Sequence, residues 1–201
     1  MTAPILEARS LSKSFGAVVA ATDVSIDVPQ GQRVSLIGSN GAGKTTFVNM
    51  VTGYLKPDAG SIVLDGRQID GLGPRRIARL GVARSFQIPQ LALEMSALDN
   101  MLVAAACNDG ELSFWRPARS PARRERAMAL LERFQLAEHA QRRAAELPGG
   151  VRKLLDIAMA LTGRPKLLLL DEPTSGVSVD EKFPMMDTIV AALASENVTV
   201  L

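Results

Sequence analysis

One segment of the sequence has the residue types and spacing of a phosphate-binding loop. Residues 38–45 read Gly-Ser-Asn-Gly-Ala-Gly-Lys-Thr and fit the pattern G-x-x-x-x-G-K-[ST]. Glycines at this spacing let backbone N–H groups approach phosphate oxygens and permit positive φ angles. Lys44 can reach the β- and γ-phosphates, and the Thr45 hydroxyl can coordinate Mg²⁺. The alternative is a chance glycine-rich turn, but the predicted strand before the loop and helix after it favour nucleotide binding.

A second candidate site follows an uninterrupted apolar run. Leucines 167–170 precede Asp171 and Glu172, as expected of a central parallel strand that ends on two carboxylates. Asp171 could hold Mg²⁺ through water, because this ion keeps much of its hydration shell, and Glu172 could polarise an attacking water. A buried strand followed by a helix-capping aspartate is the alternative. The phosphate loop upstream favours the catalytic interpretation.

Composition limits the classes of protein that could carry these two sites. The chain has 201 residues, of which 47% are hydrophobic and 22% charged, which predicts a globular domain with a sizeable core. Its formal net charge of +2 argues against a general nucleic-acid binder, and one cysteine excludes an internal disulfide framework. No apolar run approaches the roughly 18 residues of a membrane span. A membrane role would therefore come through a partner.

Short apolar strands alternate with helical patterns along the chain. Strands are predicted at residues 24–28, 34–37 (short and buried), 61–64, 82–86, 167–170 and 198–201. A helix should begin near Lys44 and stop at Gly53. The stretch from about 96 to 161 is helical, with a polar surface loop at 108–122. Apolar stripes predict three amphipathic helices. The stripes consist of Ala127, Leu130, Leu131 and Phe134; of Leu154, Ile157, Ala158 and Leu161; and of Met186, Ile189, Val190 and Leu193.

With these motifs in this order, the chain resembles the nucleotide-binding subunit of ATP-binding-cassette (ABC) transporters. Residues 85–87 (Ser-Phe-Gln) are similar to the Q-loop, and residues 175–178 (Ser-Gly-Val-Ser) follow the acidic pair like a D-loop. Residues 147–151 (Leu-Pro-Gly-Gly-Val) lie where the LSGGQ signature belongs. The resemblance implies an α/β fold: a P-loop NTPase core, mostly parallel sheet with an antiparallel β part, and an inserted helical subdomain. It places the core at 1–87 and 162–201 and the subdomain at 88–161.

The resemblance also implies a set of site residues. The implied catalytic residues are Glu172, Gln87 and Lys44. The implied Mg²⁺ ligands are Thr45, Gln87 and Asp171. Phe15 resembles the aromatic that stacks on adenine, although alone it would more often be a core residue. The implied ATP-binding residues are Phe15, Gly38, Ser39, Asn40, Gly41, Ala42, Gly43, Lys44, Thr45, Thr46, Pro148, Gly149 and Gly150.

Pro148 and Val151 depart from the signature, in which serine and glutamine are usual. In the family the serine hydroxyl and the glycine amides contact the γ-phosphate of ATP held by the opposite subunit. Pro148 has neither a hydroxyl nor an N–H group. Gly149, Gly150 and the helix N-terminus can still bind an anion. A weakened signature is therefore expected, not an abolished one.

The implied function is that of an ATP-hydrolysing motor on the cytoplasmic face of the cell membrane, bound to integral membrane permease subunits and to a second ATP-binding subunit, without nucleic acid. Residues 81–100 are similar to the importers of branched-chain amino acids. A soluble ABC ATPase acting on nucleic acid or ribosomes is the alternative, and a P-loop kinase is a third class. The family places a switch histidine after the strand predicted at 198–201. The resemblance thus implies that a C-terminal part is missing and that this chain hydrolyses ATP poorly.

Overall fold

The structure is a computed structural model that describes residues 3–39, 41–109 and 120–201. The chain divides into two compact units, each built from separate segments. The first unit comprises Met1–Val82, Lys166–Leu169 and Val198–Leu201, and the second comprises Ala83–Pro165 and Leu170–Asn197. The boundaries predicted for the core and the helical subdomain remain predictions.

An antiparallel sheet forms much of the first unit. Its strands are β1 (Pro4–Phe15), β2 (Val18–Pro29), β3 (Ala59–Leu64) and β4 (Arg67–Gln68), in the order β2-β1-β3-β4. Alternate apolar side chains of β1 and β3 point into the core, where Leu6, Ile62 and Leu64 are buried. The strands predicted at 24–28 and 61–64 lie inside β2 and β3, so both are confirmed.

Two helices pack in the first unit, α1 (Lys44–Val51) and α2 (Pro74–Arg79). Helix α1 buries Phe47, Val48, Met50 and Val51 in the core. Gly53 follows its C-cap with a φ of +74°, and a Cβ there would lie 2.5 Å from the Leu72 carbonyl oxygen. Both features require glycine, which confirms the predicted end of this helix.

A second sheet has the order β5 (Val82–Ser85), β6 (Leu167–Leu170), β7 (Thr199–Val200). Strands β6 and β7 are parallel, and the central place of β6 confirms the prediction made from its four leucines. The buried strand predicted at 34–37 is wrong. Among the described residues nearby, an isolated bridge from Arg33 to Val200 is the only strand pairing, and Ile37 is 95% exposed. The two-residue strand β7 supplies hydrogen bonds only as far as Val34, whose N–H donates to the Val200 carbonyl at 2.9 Å.

The described residues of the second unit form four α-helices: α3 (Ala97–Asn108), α4 (Pro121–Arg133), α5 (Gly149–Leu161) and α6 (Val179–Ala194). The hydroxyls of Ser96 and Ser120 cap α3 and α4. Short 3₁₀ turns occupy Ala137–His139 and Ala144–Glu146. Among the described residues, no helix is both long and apolar enough to span a membrane.

The stripes predicted for α4 and α5 face the interior, apart from a half-buried Leu154. The stripe predicted for α6 is partly wrong. Met186 and Val190 are exposed, whereas Met185, Ile189 and Leu193 are buried. Apolar residues occur on both sides of this helix, so periodicity alone could not select the buried face.

Candidate functional site

The phosphate-binding loop of the first unit leads directly into α1. The Lys44 ammonium group donates hydrogen bonds to the carbonyl oxygens of Gly38 (2.7 Å) and Ser39 (3.0 Å), and thus folds over its own loop. Among the described residues, no side chain caps the N-terminus of α1. Its first N–H groups are therefore available to an anion, where the helix dipole favours negative charge. Asn40, a predicted ligand, lies outside the described residues.

Two glycines of this loop share the same backbone conformation but differ in their surroundings. Gly41 and Gly43 have φ angles of +83° and +85°. Among the described residues, a Cβ on Gly41 would meet nothing within 4 Å, whereas one on Gly43 would lie closer than 3.0 Å to the carbonyl oxygen of Ala20 in β2. The sequence indicated that glycine at position 43 leaves room for phosphate. The structure adds a second reason, because the backbone of β2 packs too closely for a side chain there.

The other predicted ligands of the first unit lie on exposed or half-exposed positions. Thr45 is exposed and Thr46 half-buried in the first turn of α1. Phe15 ends β1 and is 52% exposed, with the Lys13 ammonium 5.7 Å from its ring centroid. Phe15 is thus not a core residue. Its stacking on adenine remains a prediction.

The acidic pair of the second unit follows β6. One carboxylate oxygen of Asp171 accepts a hydrogen bond from Arg84 at 2.8 Å, and both side chains are largely buried. The Arg84 guanidinium also lies 5.1 Å from the ring centroid of Phe86. Glu172 has a φ of +47°, which is uncommon for a residue other than glycine. Sequence reasoning missed Arg84. Arg84 lies three residues before Gln87, and this closeness to the predicted Q-loop is the sequence feature that could have identified it.

The structure brings the predicted Q-loop glutamine next to the predicted catalytic glutamate. The side-chain amide of Gln87 lies 3.4 Å from a carboxylate oxygen of Glu172. Sequence reasoning missed two further ionisable residues here, Lys153 and Asp156 of α5. Burial raises the pKa of Asp156, and burial lowers the pKa of Lys153 despite the nearby Asp156, Glu172 and Asp171 carboxylates.

The signature residues open helix α5, where the sequence placed them. Pro148 precedes the helix with a φ of −55°, and Gly149 and Gly150 are its first residues. Among the described residues, no side chain caps this helix, so the glycine amides are open to an anion. A cavity of about 340 Å³ lies beside them. Gln87, Gly149 and the D-loop residues Ser175 and Gly176 line it, so three of the predicted motifs meet there.

The predicted metal ligands fit Mg²⁺ in their chemistry. Thr45 offers a hydroxyl, Gln87 an amide oxygen and Asp171 a carboxylate, all of which are hard oxygen donors. Within the described residues, no cluster of three His, Cys, Asp or Glu side chains could form a protein cage for a metal. Mg²⁺ sites commonly use one or two carboxylates and leave the remaining positions to water and phosphate. Each of the three residues offers a donor of the type that such a site uses, and their joint binding of the ion remains a prediction.

Comparison with known proteins decides the family. A family model described as ABC transporter matches residues 21–175. The chain belongs to the ABC transporter family. The resemblance drawn from its motifs is confirmed, and so is the predicted ABC ATPase fold.

The chain is similar over its whole length to curated members of this family. It is 38% identical to LivG of Salmonella typhimurium and 41% identical to BraF of Pseudomonas aeruginosa. Both are named high-affinity branched-chain amino acid transport ATP-binding proteins, and the match covers 100% of this chain and 82% of each relative. These relatives do not favour the alternative of an ATPase that acts on nucleic acid or ribosomes.

Solved structures of the same family have the same fold. The ADP conformation of MJ1267, an ATP-binding cassette of an ABC transporter, matches with a TM-score of 0.87 and 34% identity, over 100% of this chain and 80% of that chain. A nucleotide-free ATP-binding cassette from an ABC transporter matches with a TM-score of 0.83 and 32% identity, over 98% and 80%.

Proposed function

We propose that this chain is the ATP-hydrolysing motor subunit of an ABC importer for branched-chain or similar amino acids. The observation that carries the proposal is the identity of 38–41%, over the whole chain, to ATP-binding proteins named for branched-chain amino acid transport. The uncapped helix after the phosphate loop and the contact between Gln87 and Glu172 support the same chemistry.

The chain's own residues divide the work between binding and chemistry. The loop from Gly38 to Thr46 holds the phosphates through backbone N–H groups and the Lys44 charge, and Phe15 supplies a face for adenine. Thr45, Gln87 and Asp171 hold Mg²⁺, which when bound offsets the negative charge that builds up on the phosphates. Glu172 orients and polarises the attacking water, and the Gln87 amide beside it helps to fix its carboxylate.

The partners follow from the family. Two ATP-binding subunits close head to tail, so that Gly149 and Gly150 of one subunit face the nucleotide of the other. Integral membrane permease subunits at the cytoplasmic face of the membrane receive the resulting movement. The names of the relatives, which call them branched-chain amino acid transport ATP-binding proteins, are consistent with this arrangement.

The variant Lys44→Ala tests the nucleotide site. ATP titration should show that most affinity is lost, because the main cation facing the phosphates is gone. The matched control is Lys56→Ala, an exposed lysine of the same unit outside the loop, which should bind ATP like the parent. Equal affinity of parent and Lys44→Ala would refute the assignment.

The substrate is tested by co-purifying the permease subunits and measuring ATP hydrolysis in vesicles with leucine, isoleucine or valine. Stimulation only by another class of solute would refute the amino acid part.

A further inference from the structure

Helix α5 carries two ionisable side chains that are almost completely buried. Lys153 is 4% exposed and Asp156 is 6% exposed. They are three residues apart, so they lie on the same face of the helix. Burying a charged group is costly, and an apolar residue would serve packing better. Core packing therefore does not explain why these two positions carry ionisable side chains.

Asp156 binds the backbone on both sides of Gln87. One carboxylate oxygen accepts hydrogen bonds from the Ser85 hydroxyl (2.7 Å) and the Phe86 N–H (3.1 Å). The other accepts from the Gln90 N–H at 3.2 Å. The carboxylate thus fixes the turn that carries Gln87 before and after that residue. The Gln87 side chain remains directed at Glu172.

Lys153 binds the other side of the same site. Its ammonium group donates a hydrogen bond to the backbone carbonyl oxygen of Glu172 at 3.0 Å. Glu172 has a left-handed φ, and residues in such conformations persist only where their surroundings hold them. The contact from Lys153 is one such restraint, because it fixes the peptide that sets the direction of the Glu172 side chain.

We propose that Asp156 and Lys153 are positioning residues for ATP hydrolysis: Asp156 orients Gln87 toward the metal and its water, and Lys153 orients Glu172. The proposal rests on the proposed function, because both oriented residues act in that reaction. Residues that orient metal ligands without touching the metal contribute strongly in other proteins. Asp156 meets this description for Gln87, and one helix therefore holds both sides of the hydrolytic site in the second unit.

The test measures how much Mg²⁺ increases the affinity of the full chain for ATP. In Asp156→Asn, one side-chain oxygen becomes an amide that cannot accept the backbone hydrogen bonds. The increase in affinity on adding Mg²⁺ should fall by about 10–100-fold, the usual effect of losing a residue that orients a ligand. Affinity in EDTA should match the parent, because the phosphate loop is unchanged. Amide hydrogen exchange at Phe86 and Gln90 should become faster.

Three further variants separate positioning from general damage. Asp187→Asn makes the same chemical change at an exposed position of α6 and should behave like the parent. Ser85→Ala removes only one hydrogen bond to Asp156 and should cause a smaller loss of the Mg²⁺ effect, which keeps the test valid if Asp156→Asn unfolds. Lys153→Met should lower kcat for ATP hydrolysis with little change in KM, as expected when an interaction acts on the reaction and not on binding.

The outcomes distinguish the two proposals. An undiminished Mg²⁺ effect in both Asp156→Asn and Ser85→Ala would overturn the role of Asp156. A parent-like kcat in Lys153→Met would overturn the role of Lys153. A parent chain that does not bind ATP would overturn the proposed function itself, and the positioning roles with it.

Discussion

Replacing Gly43 with alanine should destabilise the protein much more than the same change at Gly41. Both residues have φ angles near +85°, where an alanine costs about 1–2 kcal/mol relative to glycine. At Gly43 the new methyl group would also meet the Ala20 carbonyl oxygen, and this backbone atom cannot swing aside as a flexible side chain would. Displacing packed structure typically costs about 1–3 kcal/mol. Gly43→Ala should therefore cost about 2–5 kcal/mol.

Thermal unfolding of the two nucleotide-free variants, followed by circular dichroism, isolates the contact with Ala20. One kcal/mol shifts the Tm of a chain of this size by about 2–4 °C. The excess cost at Gly43 should thus lower its Tm by roughly 2–12 °C below that of Gly41→Ala. Equal Tm values for the two variants would show that the loop can move away from β2, and would refute the packing argument for Gly43.

Three other changes test the site more directly. Glu172→Gln should keep ATP affinity and trap a nucleotide-bound dimer, because an amide cannot act as a base. Size measurements of the variant with and without ATP–Mg²⁺ check for this dimer, and ATP hydrolysis at the parent rate would contradict the role of Glu172. Pro148→Ser should tighten the closed dimer by up to about 1.5–3 kcal/mol through a restored hydroxyl, and unchanged dimerisation and turnover would place residue 148 away from phosphate. Because burial raises the pKa of Asp156 above its usual value, the native chain takes up a proton before the unfolded chain as pH falls. Urea midpoints should therefore show the parent gaining stability relative to Asp156→Asn on mild acidification, and the opposite trend would contradict the cause given for the shift.

The ends of strands and helices could be predicted where one residue type dictates the local conformation. Gly53 ended α1 because its conformation and the nearby Leu72 carbonyl both require glycine. The run of leucines at 167–170 identified β6, since a strand covered on both faces needs apolar residues at every position. The predicted strand at 34–37 is also mainly apolar, with three apolar residues and one serine, but it had only a two-residue neighbour to pair with. Apolar composition does not reveal the length of the partner strand.

The polar contacts of the site could not be predicted because their partners are distant in sequence. Asp156 binds groups 66 to 71 residues before it, and Asp171 binds Arg84 across 87 residues. In a single sequence, a charged residue beside an apolar stripe indicates a solvent-exposed position. Lys153 and Asp156 are buried instead, since backbone groups of the Q-loop and of Glu172 supply their hydrogen bonds.

The way the first unit is divided along the chain has a consequence for the order of its folding. Its antiparallel sheet is built from residues up to Gln68. Strand β7, which belongs to the second sheet and pairs with β6, can form only when residues 199–200 are available. The Val200 N–H then donates to the Gln32 carbonyl, and the Gly31 N–H donates to the Thr199 hydroxyl, 168 residues apart. At about 5–20 residues per second, synthesis of the intervening chain takes on the order of ten seconds. Contacts of such long range also form slowly. The segment just before the phosphate loop is therefore translated early but is among the last parts of the unit to be paired.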